Sequence, residues 1–152
     1  MKILLVEDED PKRRNTLIAL RRAVDDASIV EARSVNSALK ELRRAGFDLI
    51  LLDMSLPSFD IGPGEGGGRP QGFGGIELLR SMDRLNLQVP VIVITAYEQF
   101  SSGGAQISLD TLRADLTNAH PHTFRGLVFY NSVVNSWSED LRLLITEAFG
   151  SR

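Results

Sequence analysis

Short apolar runs recur along the chain at Lys2–Val6 (KILLV), Phe47–Leu52 (FDLILL), Val91–Thr95 (VIVIT) and Leu127–Tyr130 (LVFY), with segments of helical spacing between them. Each is far below the ~20 apolar residues that a membrane-spanning helix needs, and runs of this length read as buried strands. Ser28–Ala32 is a weaker fifth candidate. Strands that alternate with helices close into a parallel sheet covered on both faces, with right-handed crossovers. The expected fold class is therefore α/β, a three-layer αβα sandwich around five parallel strands.

The intervening segments carry helix signals. Asp10 and Pro11 supply an N-cap and a first helical residue, with Leu17, Leu20 and Val24 along one side. Ser34 caps a second helix that Gly46 ends, and Ile76–Leu85 resumes helical spacing. Leu109, Leu112, Leu116 and Ala119 mark a fourth helix, and a Ser136–Glu139 capping box opens the last, against which Trp137 is expected to pack. The SSGGAQ stretch ahead of the fourth helix resembles loop, and His120-Pro121-His122 reads as a polar turn rather than a metal pair, since no third ligand lies nearby.

Eight of thirteen glycines fall between Gly62 and Gly75, where Gly62, Gly64 and Gly67 match G-x-G-x-x-G. A dinucleotide turn would follow its strand directly and open a helix; here Asp53 to Ile61 intervene, and Pro63 and Pro70 interrupt. A domain boundary at this point would split the sheet. The stretch at about 61–73 is expected to be an insertion into a single domain spanning 1–152.

Three strands stop at residues able to bind a cation or a phosphoryl group: KILLV runs into Glu7 and Asp8, LILL into Asp53, and VIVI into Thr95. In an open α/β sheet the carboxyl ends of the strands share one edge, where ligands sit. Carboxylates brought together there repel unless protonated or bridged by a cation, and oxygen donors without cysteine favour a hard divalent ion such as Mg²⁺. The chain has no cysteine, which excludes disulfides and thiolate metal sites, and its net charge of -3 gives no footprint for nucleic acid. No signal peptide or membrane span is evident, so a cytoplasmic location is expected.

MKILLVEDE, LILLDMSLP around Asp53, GGIELLRSM and VPVIVITAY together resemble the receiver domain family of two-component response regulators. The resemblance implies a flavodoxin-like strand order 2-1-3-4-5. It implies Asp53 as acceptor of a phosphoryl group from a histidine kinase or phosphotransfer protein, and a downstream protein partner. Thr95 is implied as phosphoryl contact and switch, with Ala96 beside it. Mg²⁺ is implied at Asp8 and Asp53 directly, at Glu7 partly through water, and at the backbone carbonyl of Ser55. The protein would then be a signalling switch that catalyses at most its own phosphotransfer and dephosphorylation; the family leaves room for a homodimer.

The chain departs from the family in two places. Receivers usually carry a lysine just after the fifth strand, but Tyr130 to Val134 supply no charge, and the only lysines are at 2, 12 and 40. Arg69 and Arg125 are the candidate substitutes, Arg69 being preferred because it lies on a loop leaving the Asp53 edge. The second departure is the connection at about 97–125, which is longer than usual. Both favour a competing reading, a phosphorylation-independent pseudo-receiver that works as an interaction module. A phosphohydrolase would want an acid two residues after Asp53, where Ser55 stands.

Overall fold

The computed structural model describes residues 1–60, 74–96, 99–102 and 105–149. Arg69 and the glycine-rich stretch at 61–73 lie outside the described residues. In chain order the elements are β1 (Lys2–Val6), α1 (Asp10–Ala23), β2 (Ser28–Ala32), α2 (Val35–Arg44), β3 (Leu49–Leu52), α3 (Gly74–Arg84), β4 (Val91–Thr95), β5 (Gln99–Ser102), β6 (Ala105–Ser108), α4 (Leu109–Ala119), β7 (Phe124–Phe129) and α5 (Ser136–Phe149).

Five strands form one parallel sheet in the order β2-β1-β3-β4-β7, which is the expected 2-1-3-4-5 order. The alternation of side chains across a strand divides the core in two. Leu4, Val6, Ile50, Leu52, Val91, Val93 and Leu127 pack on one face with residues of α2, α3 and α4. Ile3, Leu5, Leu49, Leu51, Ile92, Ile94 and Val128 pack on the other with residues of α1 and α5. Because β1, β3 and β4 are covered on both faces they need apolar residues at successive positions, which is why KILLV, LILL and VIVI lack the alternation of a half-exposed strand.

Three local features differ from the expectations. β7 begins at Phe124, ahead of its apolar run, because the pairing shifts register: Val91 lies opposite Phe124 and Ile92 opposite Gly126, leaving Arg125 as the extra residue of a bulge. The expected loop ahead of α4 contains an antiparallel pair, with Gln99 opposite Ser108 and Ser102 opposite Ala105; two glycines separate the strands in sequence, a hairpin signal. His120 is buried at the end of α4, its Nδ1 2.8 Å from Asp83 Oδ2 on α3, and so joins two helices rather than standing in a solvated turn.

α2 starts where the sequence places it, whereas Asp10 and Ser136, both expected as caps, are the first helical residues of α1 and α5. Ser34 Oγ accepts a hydrogen bond from the Ser37 N–H, and Ser37 Oγ accepts one from the Ser34 N–H, completing a capping box on α2. α1 starts at Asp10 with Glu9 in the cap position and Pro11 in its first turn. On α5 the Glu139 carboxylate engages Arg142 one turn on, at 3.2 Å from its Nε.

Candidate functional site

The site grows from the order of the sheet. β1 and β3 are neighbours in parallel register, Val6 opposite Leu52, and the Asp53 N–H extends that ladder to the Val6 carbonyl at 3.0 Å. The Glu7 N–H bonds the Ala32 carbonyl at 3.0 Å, and the Tyr130 N–H bonds the Thr95 carbonyl at 2.7 Å. These bonds fix Glu7, Asp53 and Thr95 at the carboxyl edge where the crevice of an open α/β sheet lies. The edge is closed on one side by the start of α3: the Gly75 N–H bonds the Met54 carbonyl at 2.9 Å, and Gly74 abuts Leu56 with no room for a β-carbon.

The expected acids do meet here, and so does a lysine that the sequence reading had not assigned to the site. Lys12 projects from the first turn of α1 and is 2% exposed. Its Nζ stands 3.1 Å from Asp53 Oδ1 and donates to the Ile94 carbonyl at 2.8 Å. Glu7 Oε1 is 2.5 Å from the same ammonium, a buried ionic contact. The other Glu7 oxygen accepts the backbone N–H groups of Asp8 and Glu9, both at 3.1 Å.

The charges are mutually adjusted. Burial pushes the Glu7 carboxyl up to about 7, an effect that the Lys12 charge offsets only in part and that nearby Asp53 reinforces. Burial alone would lower the Lys12 ammonium, but Asp53 and Glu7 outweigh it and hold it above its ordinary value. Asp8 is half-buried and also raised, by desolvation, with Arg33 acting against the shift.

Glu7, Asp8, Lys12, Asp53, Ser55 and Ala96 line a cleft of about 30 Å³ at this edge. Asp53 is only 5% exposed and Thr95 is buried. The donors facing the cleft are the hard oxygens a divalent ion prefers, but Glu7 is engaged with Lys12 and two N–H groups. Among the described residues no three carboxylate or imidazole side chains gather closely enough to hold a metal. In the structure Glu7 faces Lys12, and Asp8, Asp53 and Ser55 line the cleft beside that pair.

The residues after β7 supply no cation. Tyr130 is buried with its hydroxyl 2.8 Å from Asn15 Nδ2 and its ring tilted against Trp137 at a centroid distance of 4.9 Å. Arg125 lies at the opposite end of β7 from the acids and is exposed, so it does not reach them. Lys12 was legible through helical spacing: Lys12, Thr16, Ala19 and Leu20 form the buried stripe of α1, and stepping back from Leu20 by whole turns leads to it.

A doubly wound parallel sheet with an acid pair, a further aspartate and a threonine on its carboxyl edge defines a signalling domain of the receiver class. The chain belongs to the response regulator receiver domain family, whose model matches residues 3–111. It is 26% identical over 149 residues to the Detocs response regulatory protein DtcB of Enterobacter cloacae, covering 97% of this chain and 99% of that protein. In fold it is similar to the phosphorylated cyanobacterial phytochrome response regulator RcpA, with TM-score 0.66 and 21% identity over 99% of this chain and 95% of that one. It is also similar to the response regulator TrrA of Thermotoga maritima in complex with Mg(2+)-BeF, with TM-score 0.60 and 21% identity over 94% of this chain and 97% of that one.

Proposed function

We propose that this receiver takes a phosphoryl group onto Asp53 from a histidine kinase or phosphotransfer protein and, so modified, shifts the surface it offers to a downstream protein. The observation that carries the reading is the placing of Asp53, buried at the end of a central strand, beside Asp8, and lining a small cleft at the sheet's carboxyl edge. Asp8, Asp53 and the Ser55 carbonyl would hold Mg²⁺, which supplies positive charge to the transferring phosphoryl oxygens. Asp53 is the nucleophile. Thr95, one strand over, contacts the phosphoryl group and couples it to the rest of the molecule, and Ala96 borders the same cleft. The complex of TrrA with Mg(2+)-BeF and the phosphorylated state of RcpA support this reading by analogy of fold.

The chain catalyses at most its own phosphotransfer and dephosphorylation. No helix among the described residues is long and apolar enough to cross a membrane.

The second reading, a phosphorylation-independent interaction module, draws on one observation: Lys12 already compensates the charge of Asp53 and Glu7. Incubation with Mg²⁺ and acetyl phosphate, followed by intact mass, separates the two. The switch predicts a single phosphoryl adduct in the wild type and none in Asp53→Asn; the module predicts none in either.

A further inference from the structure

Lys12 draws together groups from three neighbouring strands or their ends: Glu7 just after β1, Asp53 just after β3, and the Ile94 carbonyl within β4. Burying an ammonium at this depth is costly, and an apolar side chain of similar volume would fill the same space under the sheet without that cost. A charge kept there despite the cost, aimed at the acceptor carboxylate, calls for a chemical reason. The end of β7 offers no substitute, since Tyr130 is held by Asn15 and Trp137 and Arg125 stands at the far edge.

We propose that Lys12, reaching in from α1, supplies the Asp53 phosphoryl site with the positive charge that receivers usually take from a lysine after their last strand. The proposal rests on the reading of Asp53 as acceptor. With acetyl phosphate as donor, a lone pair of an Asp53 carboxylate oxygen forms the new O–P bond. The donor's P–O bond breaks as this happens, and its electron pair leaves with acetate. The negative charge of the dianionic phosphoryl group is thereby carried onto Asp53, 3.1 Å from the Lys12 ammonium, which keeps its proton throughout. No further reactant is needed.

A second consequence has the opposite sign. The ammonium and a divalent ion draw on the same Asp53 carboxylate, so Lys12 favours phosphoryl transfer while competing with the metal in the unmodified protein. Removing its charge should slow transfer and tighten Mg²⁺ binding, a pairing that loss of structure would not produce.

The test uses the whole chain as wild type, Lys12→Met, Lys12→Gln, Lys12→Arg and Asp53→Asn. Adduct growth with Mg²⁺ and acetyl phosphate is followed by intact mass across donor concentrations, and Mg²⁺ affinity is measured by calorimetry without donor. Lys12→Met is expected to lower the maximal rate about 10- to 100-fold and to bind Mg²⁺ several-fold more tightly, with Lys12→Arg restoring part of the rate. Lys12→Gln, polar but uncharged, should show the same loss and decides the question if Lys12→Met fails to fold. A neutral variant that phosphorylates at the wild-type rate, or one that loses rate and Mg²⁺ affinity together, overturns the role of Lys12 and leaves Asp53 as acceptor. A wild type that forms no adduct removes the acceptor reading and this one with it.

Discussion

Glu7, Asp8, Asp53 and Thr95 could be placed from the sequence because each ends an apolar run whose strand character is unmistakable, and a parallel sheet brings such ends to one edge. Lys12 could not be placed in the same way. A lysine in a helix is ordinarily solvated, and only its phase relative to Thr16, Ala19 and Leu20 marks it as inward-facing. Arg69 and Arg125 are the cations that sequence position suggests for the acceptor, whereas the structure brings Lys12 to it from the first turn of α1. Glu7 gives the residue scale its pH signature. Its carboxyl rises from an ordinary 4.5 to about 7 on folding, so the folded protein binds this proton more tightly than the unfolded chain. The stabilisation is full below about pH 4.5 and is lost as pH rises toward 7, an effect of up to about 3 kcal/mol at this site. Urea titrations without divalent cations should show Glu7→Gln flattening that part of the pH profile; an unchanged slope would mean that Glu7 is ionised throughout.

At the scale of elements, Gly74 and Gly75 begin α3 so close to the loop after β3 that a β-carbon on Gly75 would stand 2.7 Å from the Asp53 carbonyl oxygen. Gly75→Ala should therefore destabilise by about 1–3 kcal/mol, read as a lower denaturation midpoint, because the helix must move off the loop that carries the acceptor. The capping box on α2 makes a milder case: Ser34→Ala removes the acceptor for the Ser37 N–H and should cost about 1 kcal/mol. Elements with a strong apolar period or a definite cap were legible in advance. β7 began earlier than expected because Arg125 and Gly126 break its apolar run, and that start depends on a bulge against β4 that only the paired strand reveals. The short β5–β6 hairpin lacked the long alternation that marks a strand in sequence.

For the whole molecule, the five-strand parallel sheet followed from alternation alone, whereas its strand order came through the resemblance to receivers, since many orders satisfy the same alternation. The order matters to function because it seats β1 between β2 and β3 and so places the Glu7-Asp8 pair beside Asp53. Metal binding to this assembled edge should stabilise the fold as a unit. Mg²⁺ at about 100 times its dissociation constant is expected to add ~2.7 kcal/mol to the unfolding free energy, and Asp8→Asn should abolish most of that gain in a thermal-shift titration. A gain unaffected by the substitution would place the ion elsewhere. The most direct measurement of the account is to phosphorylate the protein with acetyl phosphate and Mg²⁺, reduce with borohydride, and sequence the peptides by mass spectrometry. An acyl phosphate on the proposed acceptor predicts homoserine at position 53 and at no other aspartate, while an unmodified Asp53, or homoserine at another position, would contradict it.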